Sequence, residues 1–326
     1  VASIASPALL TFFDMSAAAK RFTYIDALRG IAALGVVLVH LRDSHHLPTF
    51  FAALPDVVEW MVSYGHVGVE IFFVLSGFVI AHSMARDDVD LLYVGRYMLR
   101  RSARLAPPYW ASIAMSMVGL AWAAHYWGST QVPLPSFVDI ALHLAYAQGF
   151  FGVRPINTVY WTLSMEVQFY LTFGLMMIVS TRLQKGSSLS RKTGHSRTAA
   201  FWLVLTPALI FASLWPIGQK PWTWVHVLFT EKWHLFLLGA MAWKALQPDA
   251  GRKSLQATWG YFLFLAVAAL YHHNLPLAVG VVTATSILVC GRTGNMASWF
   301  SSRPLQFLGA ISYSLYLVHN PITGVV

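Results

Sequence analysis

The sequence predicts an all-α membrane protein, a polytopic transmembrane helical bundle of about nine spans. Three observations predict it. The chain of 326 residues is 57% hydrophobic and only 11% charged, with a mean hydropathy of +0.57, whereas soluble domains carry roughly 25% charged residues. Apolar runs recur along the whole chain, several of them reaching the about 18 residues with which a helix crosses a bilayer core. Lys and Arg concentrate in alternate connections between those runs, as the positive-inside rule requires.

Taken in order, the runs bounded by charge, Pro or Gly predict helices over Ala27–Leu47, Val67–Met84, Leu105–Tyr126, Val159–Thr181, Ala199–Pro216, Val225–Trp243, Thr258–Tyr271, Pro276–Cys290 and Pro304 to the terminus. Of the 22 basic residues, 18 fall before or in the first turn of the first of these, after the second, after the fourth, after the sixth and after the eighth, leaving Arg42, Arg154, Lys220 and Lys232 on the other side. That split predicts a cytoplasmic N-terminus and a multi-pass protein of the cytoplasmic membrane. Residues 1–22 are read as a cytoplasmic extension; Met15 offers an alternative start, and no basic stretch ahead of an apolar one suggests a cleaved signal. Residues 136–151 are apolar but too short to cross, and a crossing there would invert every later loop, so the segment is read as interfacial or re-entrant. The Ser-, Gly- and basic-rich stretch 182–198 reads as a cytoplasmic loop suited to anionic lipid heads. Everything from 23 to 326 is taken as one transmembrane domain.

The net charge of +9 is accounted for by this loop asymmetry, so nucleic acid is not expected as a partner. With Cys290 as the single cysteine, neither an internal disulfide nor a thiolate metal cluster is expected. The histidines His45, His46, His66 and His82 invite a metal reading, but His82 falls at the cytoplasmic end and the others outside, so no metal is expected. Trp60, Tyr64, Trp110, Tyr126, Trp127, Trp215, Trp222 and Trp224 lie near predicted helix ends and read as interface anchors.

Ionisable side chains within spans are costly and mark functional candidates. His40 lies about 16 Å along a helix from Arg29, which counting places near the middle of the bilayer, where an imidazole can move protons near neutral pH. A histidine merely hydrogen-bonded within the bundle would read the same way. Glu166, about 24 Å from Arg182, falls in the outer half of its helix. A buried carboxylate needs a partner, either a histidine that it orients or a cation with which it packs. Glu70 lies at the outer part of the second span, with His234 and His319 as weaker candidates. Arg96, Arg100, Arg101 and Arg104 form the densest charge cluster, and the last three share part of one helical face. Such a face can grip phosphates, or it can anchor the helix to lipid headgroups.

Five stretches resemble the membrane-bound acyltransferase 3 family. They are YIDALRGIAALGVVLVHL from Tyr24, GHVGVEIFFVLSGFVIAH from Gly65, RYMLRRSARLAPPYW from Arg96, VYWTLSMEVQFY from Val159 and LGAISYSLYLVHNP from Leu308. The resemblance implies transfer of an acyl group, usually acetyl, from cytoplasmic acyl-coenzyme A to a hydroxyl of an extracytoplasmic acceptor, usually a carbohydrate or glycolipid. It implies a catalytic role for His40 and for Glu166, the latter holding the histidine tautomer. Donor binding would fall to Arg29, Arg100, Arg101 and Arg104, and acceptor binding to Glu70 and Trp161. The family continues past the motif ending at Pro321, so a tenth span is expected beyond Val326. The main alternative is a proton-coupled transporter or flippase, since intramembrane His and Glu also serve transport; a non-catalytic scaffold is a third.

Overall fold

The computed structural model describes residues 22–85, 89–127, 134–185, 228–248 and 250–323, and every regular element among them is helical. Five helical stretches are long and apolar enough to cross a membrane: Thr23–Asp43, Gly65–Ser83, Tyr160–Leu183, Arg252–Tyr271 and Leu275–Arg292. The chain is therefore a multi-pass membrane protein, all-helical among the described residues. The predicted span Ala199–Pro216, most of the basic loop, the extension to residue 21 and the anchors Trp215, Trp222 and Trp224 lie outside the described residues.

Helix α1 (Thr23–Asp43) is followed by the short helices α2 (Pro48–Ala52) and α3 (Asp56–Ser63). The polar run Arg42–His46 ends α1 four residues before the predicted Leu47. Its closing turn carries Ser44 as C-cap, followed by His45 at positive φ. A 3-10 turn, Gly65–Val67, then runs straight into α4 (Gly68–Ser83).

Helix α5 (Leu91–Trp127) is 37 residues long and begins fourteen positions before the predicted Leu105. Asp90 accounts for the early start: its side chain accepts the Tyr93 N–H at 2.6 Å, capping a free donor of the first turn. Pro107 and Pro108 lie inside this helix, and beside them the Tyr313 hydroxyl donates to the Leu105 carbonyl at 3.0 Å. The segment predicted to be interfacial forms α6 (Phe137–Leu144), eight residues with a reciprocal Ser136/Asp139 capping box.

Helix α7 (Tyr160–Lys185) precedes a 3-10 turn, Phe229–Lys232, and α8 (Trp233–Ala245). At 13 residues α8 is shorter than the span predicted there. Helices α9 (Arg252–Tyr271), α10 (Leu275–Arg292) and α11 (Arg303–Thr323) complete the bundle. Helices α5 and α11 have the length to cross, but their prolines, tyrosines and polar residues leave them outside the five most apolar stretches.

Apolar helices in lipid gain little from burying more apolar surface, so small residues and interhelical hydrogen bonds fix their arrangement. Both devices operate here. Helices α1 and α11 touch backbone to backbone at Gly30 and Gly309: a Cβ on Gly30 would stand 2.7 Å from the Gly309 nitrogen, and one on Gly309 would strike the Asp26 carbonyl. Helices α4 and α8 meet likewise at Gly77 and Gly239, each lying on the other helix's backbone. Polar bonds then join α5, α7 and α11. Ser112 donates to the Leu317 carbonyl at 2.7 Å and pairs with the Tyr160 hydroxyl at 2.8 Å, while Thr162 meets the Tyr316 hydroxyl at 3.0 Å. Asn320 donates to Asn157 at 3.0 Å and to Thr158 at 2.7 Å, tying the end of α11 to the start of α7.

Candidate active site

Two polar clusters lie within this bundle. The first is built on α4, α5 and α7. Glu166 sits 2.9 Å from the Arg101 guanidinium and accepts the Ser76 hydroxyl at 2.7 Å. Tyr170, one helical turn on, bonds to both partners of the pair, and the guanidinium lies 4.4 Å from the centre of its ring. Arg101 Nε has no hydrogen-bond partner among the described residues.

Arg101 and Glu166 line a cavity of about 90 Å³ together with Arg29, Ser76, Tyr313 and Tyr316. Arg29 has Asp26 and Glu166 as acidic neighbours and Arg101 as the like charge beside it. A cavity lined by two guanidiniums against one carboxylate, with a free N–H on Arg101, is suited to an anion. Its volume suits a small group such as one phosphate or the end of a flexible arm.

The second cluster joins α1 to α11. His40, in the last turn of α1, has its Nδ1 at 2.9 Å from His319 Nε2, with the two rings stacked 5.0 Å apart. His319 is buried, and its Nδ1 lies 2.7 Å from the Tyr316 carbonyl. The His66 ring packs edge-on to His40 at 5.5 Å, and His66 Nε2 reaches Asp43 at 3.4 Å. Farther out Arg42 pairs with Glu59 at 2.6 Å.

Tyr313, Tyr316 and His319 recur every three residues on α11, so one side of that helix connects the clusters. Two of these residues line the cavity and the third touches His40. Along α1, eleven residues from Arg29 to His40 separate them by about 16 Å.

Several expectations change on this geometry. Because α1 stops at Asp43, His40 lies in its last turn, four positions closer to the helix end than the predicted span places it. Glu166 is committed to Arg101, Ser76 and Tyr170, so the ring that holds His40 is His319 and not the Glu166 carboxylate. The arginine cluster divides: Arg101 turns inward ten residues into α5, about 15 Å from its start, while Arg100 and Arg104 are exposed. Glu70 is buried with Lys232 Nζ at 3.7 Å, and Trp161 is half-exposed beside Phe73. His82 packs on Trp243 at the opposite end of α4 from His66. Ser76, Tyr170 and Tyr316 carried no charge to draw attention, although Tyr170 stands at the i+4 position from Glu166, where helical neighbours meet.

A bundle of apolar helices with an arginine–glutamate cavity leading towards a histidine pair defines a multi-pass membrane protein with an internal polar site. The chain belongs to the membrane-bound acyltransferase 3 family, whose profile, described as an acyltransferase domain, matches residues 22–326. Relatives include the provisionally named membrane-bound transacylase BcsY of Komagataeibacter xylinus, 26% identical over 91% of this chain and 72% of its own. The provisionally named peptidoglycan O-acetyltransferase YrhL of Bacillus subtilis is 26% identical over 91% of this chain and 48% of its own. The peptidoglycan O-acetyltransferase OatA of Listeria monocytogenes is 24% identical over 91% and 49%. The chain thus spans about half the length of these two O-acetyltransferases. No solved structure matches.

Proposed function

We propose that the protein is an O-acyltransferase of the cytoplasmic membrane. It moves an acyl group, acetyl in the first instance, from cytoplasmic acyl-coenzyme A to a hydroxyl of a carbohydrate or glycolipid acceptor on the far side. The observation that carries this reading is the cavity with its two arginines, Arg29 and Arg101, connected along one side of α11 to the His40–His319 pair. Long, flexible thioester donors carry phosphates at one end and the reactive carbonyl at the other, which suits two clusters about 16 Å apart.

In this reading Arg100 and Arg104 hold donor phosphates outside the cavity, while Arg29 and Arg101 receive the arm within it. Guanidinium groups grip phosphate oxygens through paired N–H donors. Glu166 positions Arg101 and keeps a buried cation paired. His40 takes the proton of the acceptor hydroxyl as its oxygen attacks the acyl carbon. The carbon–sulfur bond breaks, and the proton passes from the imidazolium to the departing thiolate. Glu70 and Trp161, nearer the outer ends of their helices, contribute to the acceptor site. Helices α5 and α11 cross the membrane with the five most apolar stretches; the span that contains α8 and the predicted span Ala199–Pro216, outside the described residues, bring these seven to the expected nine.

The test is calorimetry of acetyl-coenzyme A and of coenzyme A on the protein in nanodiscs, comparing wild type with Arg29→Ala and Arg104→Ala after thermal melting has shown all three folded. Micromolar binding that each variant weakens at least about tenfold, or about 1.4 kcal/mol, supports the donor assignment. Absence of binding by folded wild type, with several acyl lengths tried, removes it.

A further inference from the structure

The hydrogen bonds around His319 form a chain with one direction. A backbone carbonyl only accepts, so the 2.7 Å contact between His319 Nδ1 and the Tyr316 carbonyl requires the proton to sit on Nδ1. In the neutral ring, Nε2 of His319 is then a bare acceptor. Its partner at 2.9 Å, His40 Nδ1, must therefore be the donor. The remaining nitrogen of His40, Nε2, is left with its lone pair and no proton. Three groups in series, carbonyl, His319 and His40, thus point to Nε2 as the basic atom of His40, with the Val36 carbonyl one turn back the other backbone acceptor near the ring.

We propose that His319 is the positioning residue of the reaction: it fixes the Nδ1–H tautomer and the ring plane of His40 and makes Nε2 the atom that takes the acceptor's proton. The proposal rests on the acyl-transfer reading for its chemistry but not for the tautomer itself. Unconstrained histidine favours the Nε2–H form, so the bond to His319 reverses the intrinsic preference. A second-partner hydrogen bond that sets which ring nitrogen is free is a general device for histidine function. The atom balance follows. The acceptor O–H proton moves to His40 Nε2 as the acceptor oxygen bonds to the acyl carbon of the thioester; the C–S bonding pair leaves on sulfur; and the same proton then moves from Nε2 to the thiolate. Through all of this the Nδ1 proton stays in its bond to His319, and the transient imidazolium keeps a partner.

The stacking of the two rings and the burial of His319 at 3% exposure hold the arrangement in one geometry. The Gly30–Gly309 contact of α1 with α11 brings together the helices that carry the two rings. His319 is separated from His40 by 279 residues of sequence, so the pair exists only once these helices have docked.

The tautomer is tested without turnover, by solid-state nitrogen NMR on full-chain protein in nanodiscs with ring-labelled histidine near neutral pH. His40 signals among the 13 histidines are assigned by their loss in His40→Ala. The expected spectrum has a protonated Nδ1 and a bare Nε2 on His40, retained in His319→Gln, whose amide oxygen can accept the same bond, and lost in His319→Ala. A bare Nδ1 on His40 in wild type, or a doubly protonated His319, would overturn the proposal.

Kinetics give the second arm, with acetyl-coenzyme A as donor, soluble peptidoglycan fragments as acceptor and thiol release as readout. His319→Ala should lower kcat by about 10²-fold with the KM for donor unchanged, and His319→Gln should recover at least about a tenth of wild-type turnover. Two folded variants with equal turnover would likewise overturn it. Undiminished turnover in His40→Ala would instead remove the catalytic reading of His40, while the nitrogen spectrum would still decide the tautomer.

Discussion

Arg101 and Glu166 meet at 2.9 Å across 65 positions of sequence, with Ser76 and Tyr170 supplying further bonds to the carboxylate. Removing one member of such a pair strands the other charge inside the bundle, at a cost of about 3–5 kcal/mol, whereas replacing both by apolar residues of similar volume is close to neutral. Arg101→Met and Glu166→Leu should each lower the melting temperature in detergent sharply. The double variant should melt nearer to wild type than either single and still bind no donor. If the singles and the double melted alike, the pair would be a surface-like contact of little energetic weight.

Gly309 controls a different quantity. A Cβ there would strike the Asp26 carbonyl, and that obstacle is helix backbone, which cannot swing aside. Gly309→Ala should push α11 away from α1 at a cost of about 1–3 kcal/mol, widening the 2.9 Å bond between His40 and His319. The expected outcome is a folded protein with turnover lowered at least about tenfold and donor affinity weakened as well, because Arg29 and Tyr313 of the cavity flank the same helix contact. Calorimetry and thiol release on the same preparation check it, and a variant with full turnover would show that the contact does not govern the pair.

The segment α6 carries a pH-dependent latch. His143 donates from Nδ1 to the Asp139 carbonyl at 2.7 Å and accepts the Ile156 N–H on Nε2 at 3.1 Å, so the connection into α7 needs a neutral ring. Burial pushes the His143 ring below its ordinary range. A histidine with a lowered value in the fold stabilises it fully above its unfolded value of about 6.5, and the contribution fades as pH falls through the lower folded value. Asp139 works in the same direction at more acid pH. Hydrogen bonds from the Ser136 backbone and side chain hold its carboxyl below the usual range, so its contribution is lost only as pH drops through that lower value. Hydrogen exchange over residues 137–157 should therefore speed up as pH is lowered from about 7 to about 5, after correction for intrinsic exchange rates. The rise should be absent in His143→Gln, whose acceptor does not titrate, and its persistence there would place the latch elsewhere.

Much of the fold can be read from one-dimensional patterns. The first, second, fourth, seventh and eighth predicted spans overlap the five helical stretches apolar enough to cross, because hydropathy and length are local properties. Boundaries were less legible: Asp90 starts α5 by a side-chain cap ahead of four arginines that read as loop, and the run after Arg42 stops α1 early. The site was half legible. Arg29, Arg101 and Glu166 stand out as charges among apolar residues, and the structure does bring them to one cavity. Their partners do not stand out, because Ser76 and Tyr170 are ordinary in a helix. Of the two partners the sequence allows Glu166, a histidine or a cation, the structure shows the cation, for a physical reason. Counting residues gives height along one helix but not which neighbouring helix faces it, and α7 presents Glu166 to α5, whose Arg101 offers a stronger partner than a neutral imidazole. His319 is a weak candidate by sequence because burial and a bond to a residue 279 positions away leave no local signature.

Orientation is the remaining link between site and reaction, because donor and acceptor must reach opposite ends of the bundle. Cys290 is buried, and Cys290→Ala leaves a background into which single cysteines can be placed. Ala53, between α2 and α3, and Ser298, between α10 and α11, are both exposed and fall on opposite sides by the charge distribution. Ala53→Cys should react with a membrane-impermeant maleimide on intact cells, and Ser298→Cys only after the membrane is opened. That result would put the His40 end of α1 outside and leave the arginine-bearing start of α5 facing the cytoplasm, where coenzyme A thioesters are made. The reverse pattern would present the histidine pair to the cytoplasm and Arg101 to the exterior, and acyl transfer from a cytoplasmic donor would then have no route to the arginines.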